Sequence, residues 1–97
     1  MQFEFEAELW EATAEGAWVF VSLPVAVADE IDESVPAKAG FGSVKVQARI
    51  GDTTWGTSVF PDKKRQTFIL PVKKQVRRAE QVGIGDVVSI RLRIAVD

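Results

Sequence analysis

Four cations crowd one short stretch of the chain. Lys73, Lys74, Arg77 and Arg78 fall within Pro71-Val72-Lys73-Lys74-Gln75-Val76-Arg77-Arg78-Ala79-Glu80-Gln81-Val82-Gly83, a run composed like a short helix led by a proline and stopped by a glycine. On such a helix Lys73 and Lys74 occupy the first turn, where the macrodipole disfavours an exposed positive charge by about 0.3–1 kcal/mol. Lys73 with Arg77, and Lys74 with Arg78, are like-charge i,i+4 neighbours, each pair costing about 0.2–0.5 kcal/mol. Leu70, just ahead of Pro71, gives the first N–H groups no side-chain cap. A bound anion relieves all three faults, because helix N-termini accept phosphate and carboxylate. Lys63, Lys64 and Arg65 add to the same cationic set from the preceding loop. The chemistry indicated is recognition of an anionic partner, either nucleic acid or an acidic protein surface, with steep salt dependence in the first case. A plainer reading competes with it. The charges are solvated, or they face the acidic run Asp29, Glu30, Asp32 and Glu33 in the same molecule or across a dimer.

Trp10, Trp18 and Trp55 are the other candidates, as platforms on which a base or sugar stacks. Trp18 and Trp55 read as core packing. Trp10 alternates with the buried set and is the candidate stacking residue. The run Glu4, Glu6 and Glu8 is a wet strand face without the ordered ligands of a calcium loop.

Enzymatic chemistry has little to work with. The 97 residues include no histidine, cysteine or tyrosine, which removes the commonest general base, the thiol nucleophile and the usual zinc ligands. The serines have no histidine base, Gly40-Phe41-Gly42 is too short for a phosphate-cradling loop, and Gly83-Ile84-Gly85 follows a helix rather than a strand. The expectation is a non-catalytic protein without cofactor or metal.

Ninety-seven residues, 46% apolar and 27% charged, suit one globular domain. No apolar run approaches a membrane span, and Met1-Gln2-Phe3-Glu4-Phe5-Glu6 lacks the basic-then-apolar form of a signal peptide. A cytoplasmic protein, monomeric or weakly dimeric, is expected. The net charge of −2 conceals an asymmetry: residues 1–50 hold three Lys/Arg against nine Asp/Glu, and residues 51–97 hold nine against five.

These candidates need a scaffold, and alternation supplies it. Phe3, Phe5, Ala7 and Leu9 mark a first strand, followed by a loop from Glu11 to Gly16. Ala17 to Leu23 reads as a strand covered on both faces. Pro24 fits the first position of a helix with Val25, Ala28, Ile31 and Val35 on its apolar stripe, ended by Pro36. A loop spans 37–42. Val44, Val46, Ala48 and Ile50 share one face of a strand over 43–50, and Gly51-Asp52 turns the chain into a partner running to Phe60. A charged loop covers 61–66 and a short strand 67–70. Beyond the basic helix, Gly83 suits a left-handed cap with Ile84 as its hydrophobic contact. Val88, Ile90, Leu92, Ile94 and Val96 share one face of the last strand. The phrases Leu23-Pro24-Val25 and Leu70-Pro71-Val72 point to two copies of one plan, over about 1–50 and 51–97. With the two prolines aligned, however, Val76 falls opposite Asp29. About six strands and two short helices without a parallel rhythm make an all-β pseudobarrel.

Five motifs occur in order: Trp18-x-Phe20-Val21-x-Leu23-Pro24, Gly40-Phe41-Gly42-Ser43-Val44-x-Val46, Ser58-x-Phe60-Pro61, Leu70-Pro71-Val72-Lys73-Lys74-x-Val76-Arg77 and Gly85-Asp86-x-Val88. They resemble the bacterial and archaeal family known as domain of unknown function 1905, over nearly the whole chain. The resemblance implies a double-split β-barrel, a fold shared with AbrB- and MazE-type DNA-binding proteins, here built by one duplicated chain rather than two. Some members carry a second, YdeI-like domain, which is not expected here. Residues 61–66 depart from the glycine turn that members often have there. The family brings a fold and no established activity, and DNA binding does not follow from fold alone.

Overall fold

Alternating side chains build the sheet strand by strand. The computed structural model describes residues 1–12, 18–35, 38 and 40–95. Its elements are β1 (Gln2–Glu8), β2 (Trp10–Ala12), β3 (Trp18–Ser22), α1 (Val25–Ser34), β4 (Val44–Ile50), β5 (Thr53–Asp62), β6 (Thr67–Pro71), α2 (Lys74–Glu80) and β7 (Val87–Ile94), with a 3₁₀ turn at Gly40–Gly42. The strands form one antiparallel, curled sheet in the order β1-β7-β4-β5-β6-β3-β2. The protein is thus all-β with two short helices.

Seven strands replace the expected six because the N-terminal strand divides. β1 pairs with β7 and β2 pairs with β3. Between them Leu9 leaves both ladders: its N–H donates to the Asp86 carbonyl at 2.9 Å and its carbonyl accepts from Gly85 N–H at 2.8 Å. The chain therefore passes from one edge strand to the other through a single, fully buried residue. β2 also carries Glu11 and Ala12, where a loop was expected. β5 is divided in the same way, its first part pairing with β4 and Phe60–Asp62 with β6.

The core lies inside the curl. Val44, Val46, Ala48 and Ile50 face inward as expected, with Trp55, Val59, Phe68, Leu70, Val88, Ile90 and Leu92 around them. Each large aliphatic chain so buried contributes about 1.5–3 kcal/mol. Ala28 and Ile31 anchor α1, and Val76 anchors α2.

Several local expectations are corrected. Only Val19 and Val21 of β3 are buried; Trp18 stands outside, so this strand is covered on one face rather than two. Trp18 is no core residue, while Trp55 is. Pro24 is the N-cap of α1, one position before the helix, and Val25 is exposed. Asp62 still belongs to β5, which shortens the charged loop. Lys73, not Leu70, caps α2, and Leu70 is buried in β6. The left-handed residue after α2 is Gln81, not Gly83; Val82 N–H reaches the Arg77 carbonyl at 3.0 Å and the Val82 side chain packs on the core. The Schellman closure thus falls two residues early, with Val82 supplying the contact assigned to Ile84. Residues 13–17, Pro36, Ala37 and Val96 lie outside the described residues.

Candidate functional site

The cationic stretch is a two-turn helix with two distinct ends. Lys73 as cap and Lys74 as first residue sit where the macrodipole repels them, and both are exposed. Arg77 and Arg78 lie in the last turn, where the same dipole favours them. Arg77 is half-buried and its Nε donates to the Val72 carbonyl at 3.0 Å. Lys73, Lys74 and Arg78 are exposed, and none of the four cations has an ion pair among the described residues. Glu80 turns away from them and accepts from Thr53 Oγ1 at 2.6 Å, which ties α2 to the β4–β5 turn.

Lys63, Lys64 and Arg65 do not join that patch. They occupy the turn between β5 and β6, at the opposite end of β6 from α2. Asp62 organises the turn: its Oδ1 accepts Lys64 N–H at 3.0 Å and Arg65 N–H at 3.3 Å, and its Oδ2 meets Arg65 Nη1 at 2.8 Å. Burial raises the Asp62 pKa, but hydrogen bonds and charge from Arg65, with the Lys64 N–H, outweigh it and leave the carboxyl below 3.8. Lys63 lines a cleft of about 230 Å³ together with Asp29 and Asp32 of α1. The acidic helix therefore adjoins the basic turn. It does not adjoin α2, because α1 and α2 follow two antiparallel strands and leave from opposite ends.

Trp10 is where the turn meets the sheet. Arg65 Cζ lies 3.9 Å from the centre of the Trp10 ring, within cation–π range. Trp10 Nε1 donates to Ser22 Oγ at 3.0 Å, and the ring stands 5.2 Å from that of Phe20. Phe20 in turn lies 6.2 Å from Trp18, with the two planes only 15° apart. Trp10, Phe20 and Pro71 are register partners across β2, β3 and β6, and Ser22, Ile69 and Phe60 form the next row. Trp18 is 58% exposed and Phe60 39%. The outer side of these strands is thus mainly aromatic and aliphatic, broken by Ser22, the kind of patch that marks an interaction site.

The strand register carries this surface to the cations of α2. Val72 N–H donates to the Val19 carbonyl at 2.9 Å, one step beyond the Phe20–Pro71 pair. The next residues in that register are Trp18 and Lys73. Val72 is buried, Lys73 is exposed and its backbone is extended, so alternation sets Lys73 on the outer side beside the indole.

Sequence reasoning found Trp10 and the cations but missed Trp18, Phe20 and Ile69 as surface residues. The signal was the period of two in Trp18-Val19-Phe20-Val21-Ser22, hidden because both faces are apolar. It also missed Arg49, Arg91 and Arg93, which the β4–β7 pairing gathers on the far side of the sheet, with Arg49 directly opposite Arg91. No curated protein is similar enough to the chain to count as a match. The family model described as domain of unknown function DUF1905 matches residues 5–92, and the chain belongs to that family.

Proposed function

We propose that this chain is a non-catalytic binding module that receives an anionic partner on the outer side of β2, β3 and β6, with the start of α2 supplying charge. The observation that carries this reading is the strand register, in which Lys73, exposed and without an ion pair among the described residues, falls opposite the exposed Trp18 at the margin of an apolar surface. Lys74 and Arg78 add charge from the same helix, and Arg65 adds it at the Trp10 end, tempered by Asp62. Retention on an immobilised polyanion tests the reading. The wild-type chain is retained at low salt, and Lys73→Glu/Lys74→Glu elutes earlier with a flatter salt dependence. Equal elution of the two would remove α2 from the site.

A second reading has its own support. Because the acidic and basic helices leave from opposite ends, they are placed to pair between molecules, head to tail. Salt-sensitive self-association in size-exclusion chromatography would favour it.

The scaffold invites a finer description as a double-split β-barrel made by duplication, with repeats over about 1–50 and 51–97 in one domain. Its support is the element order, β-β-α-β twice once β1 and β2 count as one strand, and the two split strands, each serving two neighbours. The bonds Leu23 N–H to Phe68 O and Val72 N–H to Val19 O exchange under a shift of 49 residues (72 − 23 and 68 − 19). The helix starts, Val25 and Lys74, differ by the same 49.

A further inference from the structure

Resting on the anionic-partner reading and deepening it, we infer that the partner is single-stranded nucleic acid, with bases stacked on Trp18 and Phe20 and the strand's phosphates drawn to Lys73 and Lys74. Three observations lead there. The Trp18 and Phe20 rings are nearly parallel at 15° and one of them is mostly bare, a geometry that offers a flat face to another flat ring. Trp10 is already occupied on one side by Arg65 and held by Ser22, so the stack has a fixed end and an open end. The open end is the one that the register sets toward Lys73 and Lys74, which have no ion pair among the described residues. A row of aromatic rings next to a cationic margin is the combination by which sheets hold single strands without reading sequence.

Other occupants fit less well. In a duplex the base faces are covered by their neighbours, so rings standing on an open sheet cannot reach them. A second copy of this chain, docked symmetrically by the same surface, would set the Lys73 end and the Arg65 end of one molecule against the same cations of the other, where like charges repel. An acidic peptide answers the charge but leaves the stack without planar partners.

The test uses the intact chain and four probes at low salt: a labelled oligothymidylate of about eight nucleotides, within the site sizes of about 4–16 found for stacking folds, a GC-rich DNA hairpin that stays duplex at low salt, inorganic polyphosphate and polyglutamate. The inference expects the single strand to bind, to quench tryptophan emission, and to outcompete the duplex, polyphosphate and polyglutamate. Trp18→Ala should weaken oligothymidylate binding about tenfold, within the range for one stacked base, and leave polyphosphate binding unchanged. Trp18→Phe, which keeps a ring, should restore most of the loss, and circular dichroism should show both variants folded. If oligothymidylate and polyphosphate bind alike and Trp18→Ala changes neither, stacking is overturned while the anionic reading survives. If polyglutamate binds and the oligonucleotide does not, the partner is protein and the inference falls. If no probe binds, both fall together.

Discussion

The two outer surfaces of the curled sheet share one inner core and treat solvent in opposite ways. Across β1, β7, β4 and the first part of β5 the outward residues are Glu4, Glu6, Arg91, Arg93, Lys45, Gln47 and Arg49. Across β2, β3, β6 and the end of β5 they are Trp10, Trp18, Phe20, Ile69, Pro71 and Phe60. The charged surface largely answers its own charges. Arg91 Nε meets Glu4 Oε1 at 2.5 Å, Arg93 Nη2 donates to Gln47 at 2.6 Å, and Arg49 Nε donates to the Gly51 carbonyl at 2.8 Å. The direct opposition of Arg49 and Arg91 is thereby eased, although like charges across a ladder normally destabilise it. The aromatic surface has no such internal answer at Trp18, and Lys73 and Lys74 at that end have no ion pair among the described residues. An excess of one residue type thus matters less than whether its neighbours already satisfy it.

The largest effect tests the common core. Val46 is 2% exposed at the centre of β4. Val46→Asp should cost more than about 4 kcal/mol and unfold the chain, since a buried, unpaired carboxylate has no partner there. Retention of the native melting temperature would mean that the inward face of β4 is misassigned and with it the outward Arg row.

Next in size is the fixed end of the aromatic row. Trp10→Ala removes the Phe20 contact, the Ser22 hydrogen bond and the Arg65 cation–π contact at once, together worth roughly 2 kcal/mol. Thermal melting should register it clearly. A variant as stable as the wild type would make Trp10 as free as Trp18.

A smaller effect belongs to Asp62. Its folded pKa lies below the ordinary carboxylate value, so it stabilises the turn fully above pH 3.8, and that contribution is lost as the pH falls through the folded value. Acid melts of Asp62→Asn should lack this part of the pH dependence, and the variant's deficit against wild type should shrink on acidification. A deficit that grows in acid would reverse the sign.

The smallest change is expected on the charged surface. Glu4→Ala frees Arg91, but both side chains are more than half exposed, and such pairs contribute less than about 1 kcal/mol. Melting should move little. A large drop would show that the charged surface is held together by its ion pairs rather than by the core beneath it.

How far the sequence was legible follows from which signals are local. The β4–β5 hairpin could be read outright, because alternation and the Gly51-Asp52 turn specify each other; Gly51 has φ +57, and a Cβ there would fall on the Glu80 carboxylate. The helices could be located, and Ala28, Ile31 and Val35 of the expected stripe on α1 meet the core, whereas Val25 does not. The prolines differ by 47 positions, whereas the helix starts Val25 and Lys74 differ by 49, a shift at which Val76 falls opposite Val27 rather than Asp29. The cations could be counted but not placed: Lys63, Lys64 and Arg65 sit a full strand away from Lys73 and Lys74, a separation that only the β5–β6 connection decides. Trp18 was misassigned because a strand with two apolar faces looks the same whether its outer face meets another layer or water. Strand pairing between distant segments, which gathers Arg49 with Arg91 and Trp10 with Phe20, leaves no mark in any single window.

The most direct measurement is a chemical-shift titration of the ¹⁵N-labelled chain with oligothymidylate, in which each surface reports separately. The indole N–H signals of Trp10 and Trp18, and the amides of Phe20, Lys73 and Lys74, should move together while those of Arg49, Arg91 and Arg93 stay in place. Shifts centred on the arginine row, with the two indoles unmoved, would contradict binding at the aromatic surface.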